Sequence, residues 1–286
     1  MTSTWPIVLA VLCAAMLHAS WNALIKSGDD KAADAALITV AGAVVALPFL
    51  FWTGLPDFKA WPYVMTSLVI HIGYYIALVE AYRHGELGLT YPIMRGVAPL
   101  LVALGSGVFI GEAPSAAAWL GVVGIAVGVG LVGLAHPGEA LHHRRALVFA
   151  LANAALIAIY TTVDGVGVRT IGGATRYVLL LFVLDGLFYP ALVWWRRSVD
   201  ERAELIAFAR RRWPLAALGG SASIGAYGIA LWAMTRAPIA SVAALRETSV
   251  LFAAVLGTFL LKERFGLQRA VGTGVIVGGV MALRFG

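Results

Sequence analysis

Apolar stretches of about 20 residues recur along the whole chain, separated by short segments with glycine, proline or charged residues. Each stretch is long enough to cross the hydrocarbon core of a bilayer, which is about 30 Å thick, as a helix. Helices are favoured over strands because a helix satisfies its backbone polar groups internally. The pattern predicts an all-α polytopic membrane protein. Its ten predicted spans are 5–25, 35–53, 62–82, 89–110, 116–135, 147–168, 177–195, 214–235, 239–261 and 268–284.

Two arginines lie inside these spans, and the residues around them recur at the same spacing. Arg95 and Arg246 are 151 residues apart, and each is followed 17 residues later by a glutamate, Glu112 and Glu263. An arginine at the centre of a membrane helix costs about 2.5–3.5 kcal/mol on insertion scales, so its repetition indicates a duplication. The predicted halves are residues 1–140 (helices 1–5) and 141–286 (helices 6–10). Because five is odd, the second half enters the membrane from the opposite side, which predicts inverted repeats around a central cavity.

The first helices of the two halves show a weaker match. His18 and Asn22 are four residues apart, as are Tyr160 and Asp164, and the two pairs lie 142 residues apart. A spacing of four places each pair on one helix face.

Composition narrows the class of protein. The chain is 60% hydrophobic and 13% charged, with a mean hydropathy of +0.87, and this excludes an ordinary soluble globule. Its net charge of +6 is scattered through short loops, so no nucleic-acid partner is expected. The single cysteine, Cys13, excludes an intrachain disulfide, and no Lys or Arg precedes the first span, which favours a retained helix over a cleaved signal peptide. There is no hydrophilic phosphate loop, so neither ATP nor another cofactor is expected.

The basic residues predict an orientation. Loops after odd-numbered helices carry 14 Lys and Arg residues, against 5 at the termini and in the other loops. The positive-inside rule would therefore place both termini outside. Three histidines, His136, His142 and His143, fall in one loop and are interpreted as solvated rather than as metal ligands.

Several motifs resemble the drug/metabolite transporter superfamily in its ten-helix form with two EamA-type repeats. They are WNALIK at the end of the first span, GE at 111–112, LKERFG at 261–266, and the glycine-rich spans WLGVVGIAVGVGLVGL and AVGTGVIVGGVMAL. The resemblance covers essentially the whole chain. It implies a carrier of small organic solutes, often outward, in the inner membrane of a bacterium, and it implies cytoplasmic termini, opposite to the charge count. Relatives move amino acids, nucleotide sugars, sugar phosphates or drugs.

Arg95 lies between Pro92 and Pro99, which predicts a kinked or locally unwound helix. The functional interpretation is that Arg95 faces the cavity and binds a carboxylate. The alternatives are an ion pair with Glu80 or Asp164, or snorkelling to the interface.

Four further residues are candidates for binding a charged group of the substrate or for carrying a proton. Glu247, beside Arg246, is a candidate proton or cation site, unless it is neutralised by another helix. Asp164 is a candidate for a substrate ammonium or a coupling proton, unless it faces solvent near its helix end, and Asp185 raises the same question. His18 is a candidate proton carrier, although a buried histidine is more often a satisfied hydrogen-bonding group.

Aromatic side chains complete the predicted site, with packing or an interfacial belt as the alternative. His71 and Tyr74 belong to the same aromatic cluster. The predicted substrate-binding residues are Arg95, Arg246, Tyr75, Tyr227, Trp21, Asn22, Tyr160, Trp232 and Tyr82.

Two structural roles are predicted. Glu112 and Glu263 are expected to cap a helix, pair locally or close a gate. The pairs Gly124 with Gly128 and Gly274 with Gly278 are expected to allow close helix packing, within a monomer or at a homodimer face.

Together these features predict a secondary-active carrier that exports amino acids or similar amphipathic metabolites. An arginine would bind the carboxylate, an acid with aromatics the ammonium, and Tyr and Trp the side chain. The alternatives are a carrier of drugs or organic cations, sugar phosphates or lipid-linked molecules. A membrane enzyme is disfavoured because no convergent catalytic set is present, and a sensor because no room remains for a soluble domain.

Overall fold

The computed structural model describes residues 4–26, 29–84, 87–112, 114–133, 144–252 and 267–285. Within these ranges the chain is nearly all helical. Its α-helices are α1 (Trp5–Lys26), α2 (Lys31–Thr53), α3 (Trp61–His84), α4 (Leu87–Gly105), α5 (Ala116–Gly133), α6 (Arg144–Thr170), α7 (Thr175–Trp195), α8 (Val199–Met234), α9 (Ile239–Arg246) and α10 (Leu267–Phe285). Seven of them are long and apolar enough to cross a membrane, and α5 and α10 are shorter apolar helices. The predicted all-α membrane fold is confirmed.

Helix packing follows the predicted duplication. Helices α2 and α7, α4 and α9, and α5 and α10 each pack against their own counterpart in the other half. Helix α1 packs against α8, and its counterpart α6 packs against α3, the counterpart of α8. Exchanging the two sets of five helices therefore reproduces the packing pattern. The expected boundary near residue 140, like the three loop histidines, lies outside the described residues.

Glycine contacts between α5 and α10 show the same symmetry at the level of single residues. A Cβ on Gly121 would lie 2.9 Å from the Gly279 carbonyl oxygen, and a Cβ on Gly279 would lie 2.9 Å from the Gly121 carbonyl oxygen. Gly128 and Gly272 meet in the same way, at 2.8 and 2.9 Å. Residues 121 and 272, and residues 128 and 279, are equivalent positions in the two halves. The pseudo-twofold axis therefore relates the contact between Gly121 and Gly279 to the contact between Gly128 and Gly272.

The predicted glycine spacing identified only part of this interface. A Cβ on Gly124 would lie at ordinary contact distance, 3.4 Å from the Gly279 Cα, whereas a Cβ on Gly128 would meet atoms closer than 3 Å. Gly274 and Gly278 have no neighbour within 4 Å of an added Cβ, so they do not pack closely within the described chain. The helix face that packs is marked by Gly272 and Gly279 instead, because seven residues make about two helical turns.

Helix α8 begins much earlier than expected. The segment 196–213, interpreted from its charges as a loop, is mostly the first part of a 36-residue helix. Ser198 and Glu201 form a reciprocal cap, in which the Ser198 N–H donates to Glu201 Oε2 at 2.8 Å. A helix of that length spans about 54 Å, so its charged first turns extend beyond a hydrocarbon core of about 30 Å.

The helices that carry Arg95 and Arg246 are also interrupted at other places than the predicted kink beside Arg95. Helix α4 continues through Pro92 and Pro99 and then widens into a π-helical turn, Ser106–Ile110. The second half is interrupted instead, since α9 ends at Arg246 and a turn at 247–248 precedes helical residues 249–252. The rest of the predicted span 239–261, and Glu263, lie outside the described residues.

Candidate substrate-binding site

A small cavity lies among α1, α3, α4 and α6. Its lining combines polar groups with an apolar wall, which suits an amphipathic solute. The lining residues are His18, Asn22, Tyr74, Leu78, Tyr91, Met94, Arg95, Asn153 and Ile157.

Arg95 is buried and contacts two residues of the second half of the chain. Its Nε lies 2.6 Å from Glu247 Oε2, although the N–H does not point along a hydrogen bond, so the contact is a close ion pair. A terminal guanidinium nitrogen donates to Ser249 Oγ at 3.2 Å. The partner of Arg95 is therefore Glu247. The alternative interpretation, a structural ion pair, had named Glu80 or Asp164 as the partner. Glu247 is correspondingly neutralised from another helix.

Arg246 has a different environment from its repeat counterpart. It is 5% exposed, and its guanidinium lies 5.3 Å above the centre of the Tyr227 ring. The Tyr160 side chain is also in contact with it. No carboxylate of the described residues lies within 4 Å of its nitrogens. The charge is stabilised mainly by aromatic faces, which attract cations more strongly when water is excluded.

Asp164 does not face solvent, contrary to the alternative drawn from its place near a helix end. It is fully buried, and Tyr177 donates a hydrogen bond of 2.7 Å to Oδ1 while Tyr227 donates to Oδ2. Tyr227 therefore holds Asp164 with its hydroxyl and Arg246 with its ring. The two opposite charges are kept apart by one aromatic side chain.

A buried pair of His71 and Asp185 lies next to these residues. His71 Nδ1 is 2.7 Å from Asp185 Oδ2, and the edge of the imidazole packs against the Tyr160 ring at 4.4 Å between centroids. Sequence analysis placed His71 among the aromatics and gave Asp185 little weight. The two residues are 114 positions apart and on different halves, so no local spacing links them.

The polar face of α1 forms as expected. Trp21 Nε1 donates to His18 Nδ1 at 3.2 Å, and the Asn22 amide donates to the His18 carbonyl oxygen at 2.9 Å. His18 and Asn22 line the cavity, whereas Trp21 is buried beside them.

None of the six predicted aromatics lines the cavity within the described part of the chain. Trp21 contacts His18, while Tyr160 and Tyr227 contact Arg246. The other three have different neighbours. Tyr75 packs on Tyr189 with ring centroids 4.4 Å apart, and Tyr82 packs against the hydrophobic core. Trp232 lies at the end of α8, where Arg236 stacks 4.5 Å above its ring. These positions fit packing and helix-end roles.

Asn153 is a cavity residue that sequence analysis missed. Its amide nitrogen donates to the Tyr74 carbonyl oxygen at 2.9 Å, while its Oδ1 is buried without a partner in the described structure. A buried acceptor without a donor is uncommon and costs about 1–3 kcal/mol. The signal was available, because a carboxamide inside an otherwise apolar span is unusual. Tyr91, also missed, carries the aromatic contact to Arg95, 5.9 Å from its ring centre.

Glu112 joins several helix ends on one side of the molecule. It pairs with Arg169 at the end of α6 and accepts a hydrogen bond of 3.1 Å from the Ile239 N–H at the start of α9. Arg169 also donates to the carbonyl oxygens of Met234 and Ala237, at 2.7 and 2.8 Å. The cluster therefore closes one end of the bundle against α4, α6, α8 and α9.

Comparison with known proteins identifies the family. The EamA-like transporter family is matched twice, over residues 5–134 and 144–285. The chain belongs to this family. It is therefore an integral membrane transporter of small molecules, as the resemblance implied. A solved crystal structure is similar over 98% of this chain and 96% of its own, with a TM-score of 0.76 and 19% identity. That identity shows a shared fold alone, and no curated protein sequence matches the chain.

Proposed function

We propose that this EamA-family transporter is a secondary-active exporter of amino acids or similar small amphipathic metabolites, located in a bacterial inner membrane. Transport would proceed by alternating access, with the two halves rocking about the cavity. The observation that carries the proposal is that one small cavity holds both the buried Arg95 guanidinium and the buried Asn153 Oδ1, which has no hydrogen-bond partner among the described residues.

The anionic end of a zwitterion fits Arg95. The guanidinium has five N–H donors in a planar fork, and only some of them contact Glu247 and Ser249. A substrate carboxylate would use the remaining donors and share the charge with Glu247.

The cationic end fits Asn153 Oδ1, which would accept a hydrogen bond from an ammonium and so gain its missing partner. Leu78, Met94 and Ile157 supply an apolar wall for the side chain. No acid lines this cavity in the described residues, which favours anionic or zwitterionic solutes over simple cations.

Arg246 and Asp164 offer a second complementary pair. Tyr227 holds them apart, so each charge lacks a direct counter-charge from the other. A zwitterion entering between them in another conformation would satisfy both. In the present conformation Asp164 is closed by the two tyrosine hydroxyls, so the cavity at Arg95 is the site proposed for the bound solute.

Flux measurements in proteoliposomes test the proposal with radiolabelled amino acids, organic cations and sugar phosphates. The informative variants are Asn153→Ala and the double variant Arg95→Gln/Glu247→Gln, which removes both charges of the pair and leaves none unpaired. Arg83→Ala is the matched control, because Arg83 is an exposed arginine that pairs with Glu80 at 3.1 Å.

Saturable amino-acid flux that both cavity variants reduce, and that the control keeps, would support the assignment. Flux only of organic cations or only of sugar phosphates would overturn the substrate class. Unchanged amino-acid flux in folded Asn153→Ala and Arg95→Gln/Glu247→Gln would overturn the location of the site.

A further inference from the structure

We propose that His71 and Asp185 together hold one exchangeable proton, and that release of this proton accompanies movement of the solute, so that the protein is a proton-coupled antiporter. The proton site stands on the geometry of the pair. Only its coupling to solute movement rests on the proposed transport function.

The geometry of the His71–Asp185 pair suits the binding of a proton. His71 Nδ1 and Asp185 Oδ2 are 2.7 Å apart, with relative exposures of 7% and 4%. One oxygen of the Asp185 carboxylate contacts the imidazole, and the other, Oδ1, is buried without a partner in the described structure. The pair can therefore hold a proton either on the imidazole or on the carboxyl group.

Charge balance calls for one proton in the buried cluster that contains this pair. Among the described residues, the buried charged groups around the pair are two arginines, Arg95 and Arg246, and three acids, Asp164, Asp185 and Glu247. With a neutral His71 their sum is 2 − 3 = −1. One proton on His71 or Asp185 brings the sum to zero. An interior of low dielectric penalises net charge, so the neutral arrangement is favoured. The remaining buried acid, Asp34, pairs with Arg212 at the end of the bundle and does not enter this sum.

The groups facing His71 support the assignment. Two carboxylates, Asp164 and Asp185, and one guanidinium, Arg246, face the imidazole, so the negative charges beside it outnumber the positive one. The groups facing His71 or Asp185 are Tyr74 and Tyr75 on α3, Tyr160 and Asp164 on α6, Tyr227 on α8 and Arg246 at the end of α9.

His18 is a weaker candidate, since its Nδ1 already accepts the Trp21 indole N–H. Protonation of Nδ1 would break that hydrogen bond.

The placement of the pair supplies the coupling. His71 lies on α3 in the first half, and Asp185 lies on α7 in the second half. Rocking of the halves would separate the two side chains and expose them to water on one side of the membrane. The shared proton would leave to that side. Rocking in the opposite direction would separate the pair again and expose it to the other side, from which a proton would be taken up. Each cycle would move one proton against the solute, without any covalent change.

Two readouts test the inference. The first is the infrared carboxyl and imidazole difference spectrum between acidic and alkaline buffer, for protein in lipid vesicles without solute. The second compares flux of an amino acid that the wild type carries, driven by a pH gradient, with counterflow of the same amino acid at equal pH. The variants are Asp185→Asn and the fully neutral double variant His71→Gln/Asp185→Asn, which retains polar side chains if the single variant fails to fold. His84→Gln is the matched control, because His84 contacts Glu80 at 3.4 Å on the same helix but outside the cluster.

The expected result is a pH-difference signal that disappears in both variants and remains in the control. The variants should keep counterflow and lose the stimulation by a pH gradient. A wild-type spectrum without a signal assignable to this pair, or variants that retain gradient-driven accumulation, would overturn the inference while leaving the carrier intact. Absence of any wild-type amino-acid flux would instead count against the proposed function, and the spectrum would still decide the proton site.

Discussion

Arg95 and Glu247 form a buried ion pair that joins α4 to the turn after α9, with 2.6 Å between Nε and Oε2. In the duplication Arg95 corresponds to Arg246, so the position equivalent to Glu247 in the first half is Gly96. A Cβ at Gly96 would lie 3.2 Å from the Ala126 carbonyl oxygen, which leaves little room for an acidic side chain there. One acid therefore serves the arginine of the other half, and Arg246 is left to aromatic contacts. The two arginines occupy equivalent positions in the repeat but have different surroundings.

Breaking this pair on one side should destabilise the protein more than removing it altogether. Arg95→Ala leaves Glu247 buried without its counter-charge, and such changes cost about 3–5 kcal/mol. We expect Arg95→Gln/Glu247→Gln to retain a higher Tm in detergent than Arg95→Ala. Equal Tm values for the single and double variants would show that the pair does not stabilise the fold.

The α5–α10 contact should distinguish glycines that sequence alone makes equivalent. A Cβ at Gly128 would lie 2.6 Å from Ile276 Cγ1 and 2.8 Å from the Gly272 carbonyl oxygen, whereas Gly274 has no neighbour within 4 Å. We expect Gly128→Ala to cost about 1–3 kcal/mol through overpacking. Gly274→Ala should leave stability unchanged or raise it by about 0.5–1 kcal/mol, because alanine favours a helix interior. Thermal unfolding measures both, and a larger loss in Gly274→Ala would contradict the interface.

Removing the charge of Glu112 should open the end of the bundle on which the termini lie. Glu112→Gln weakens the contact with Arg169 and the hydrogen bond to the Ile239 N–H. In a Cys13→Ala background with Ile157→Cys in the cavity, we expect Glu112→Gln to speed labelling by an impermeant thiol reagent from that side.

The control for this experiment is Asp30→Asn, which removes the Asp30–Arg197 pair at the opposite end of the helices. It should not speed labelling from the side of the termini. Unchanged labelling in Glu112→Gln would mean that the cluster is not a barrier to the cavity.

Tyr227 should have separable roles for its hydroxyl and its ring. Tyr227→Phe removes the donor to Asp164 but keeps the face beneath Arg246, and an unsatisfied buried oxygen costs about 1–3 kcal/mol. Tyr227→Leu removes both contacts and should lower Tm further. If the two variants unfold at the same temperature, the ring contributes nothing measurable to holding Arg246.

The glycine contacts between α5 and α10 show how much of the helix packing the local residue spacing could predict. Spacing of four predicted close packing at Gly124 and Gly128, and both lie at the α5–α10 contact. The same spacing at Gly274 and Gly278 marks no close contact within the described chain, because the rotation of a helix about its axis is set by what it packs against. Asn153 shows the reverse case, since its unusual residue type was visible but its role depended on the cavity beside it.

The sequence by itself determined the class of the protein and its duplicated plan. Apolar spans of membrane length and an arginine repeated at a fixed offset are properties of the chain, because the bilayer penalises unpaired backbone groups and charge regardless of neighbours. Only the tertiary structure decided which charges meet. Arg95 and Glu247 are 152 residues apart, and His71 and Asp185 are 114 apart. Their contacts depend on the crossing and rotation of helices from different halves, which close packing fixes and no local spacing records.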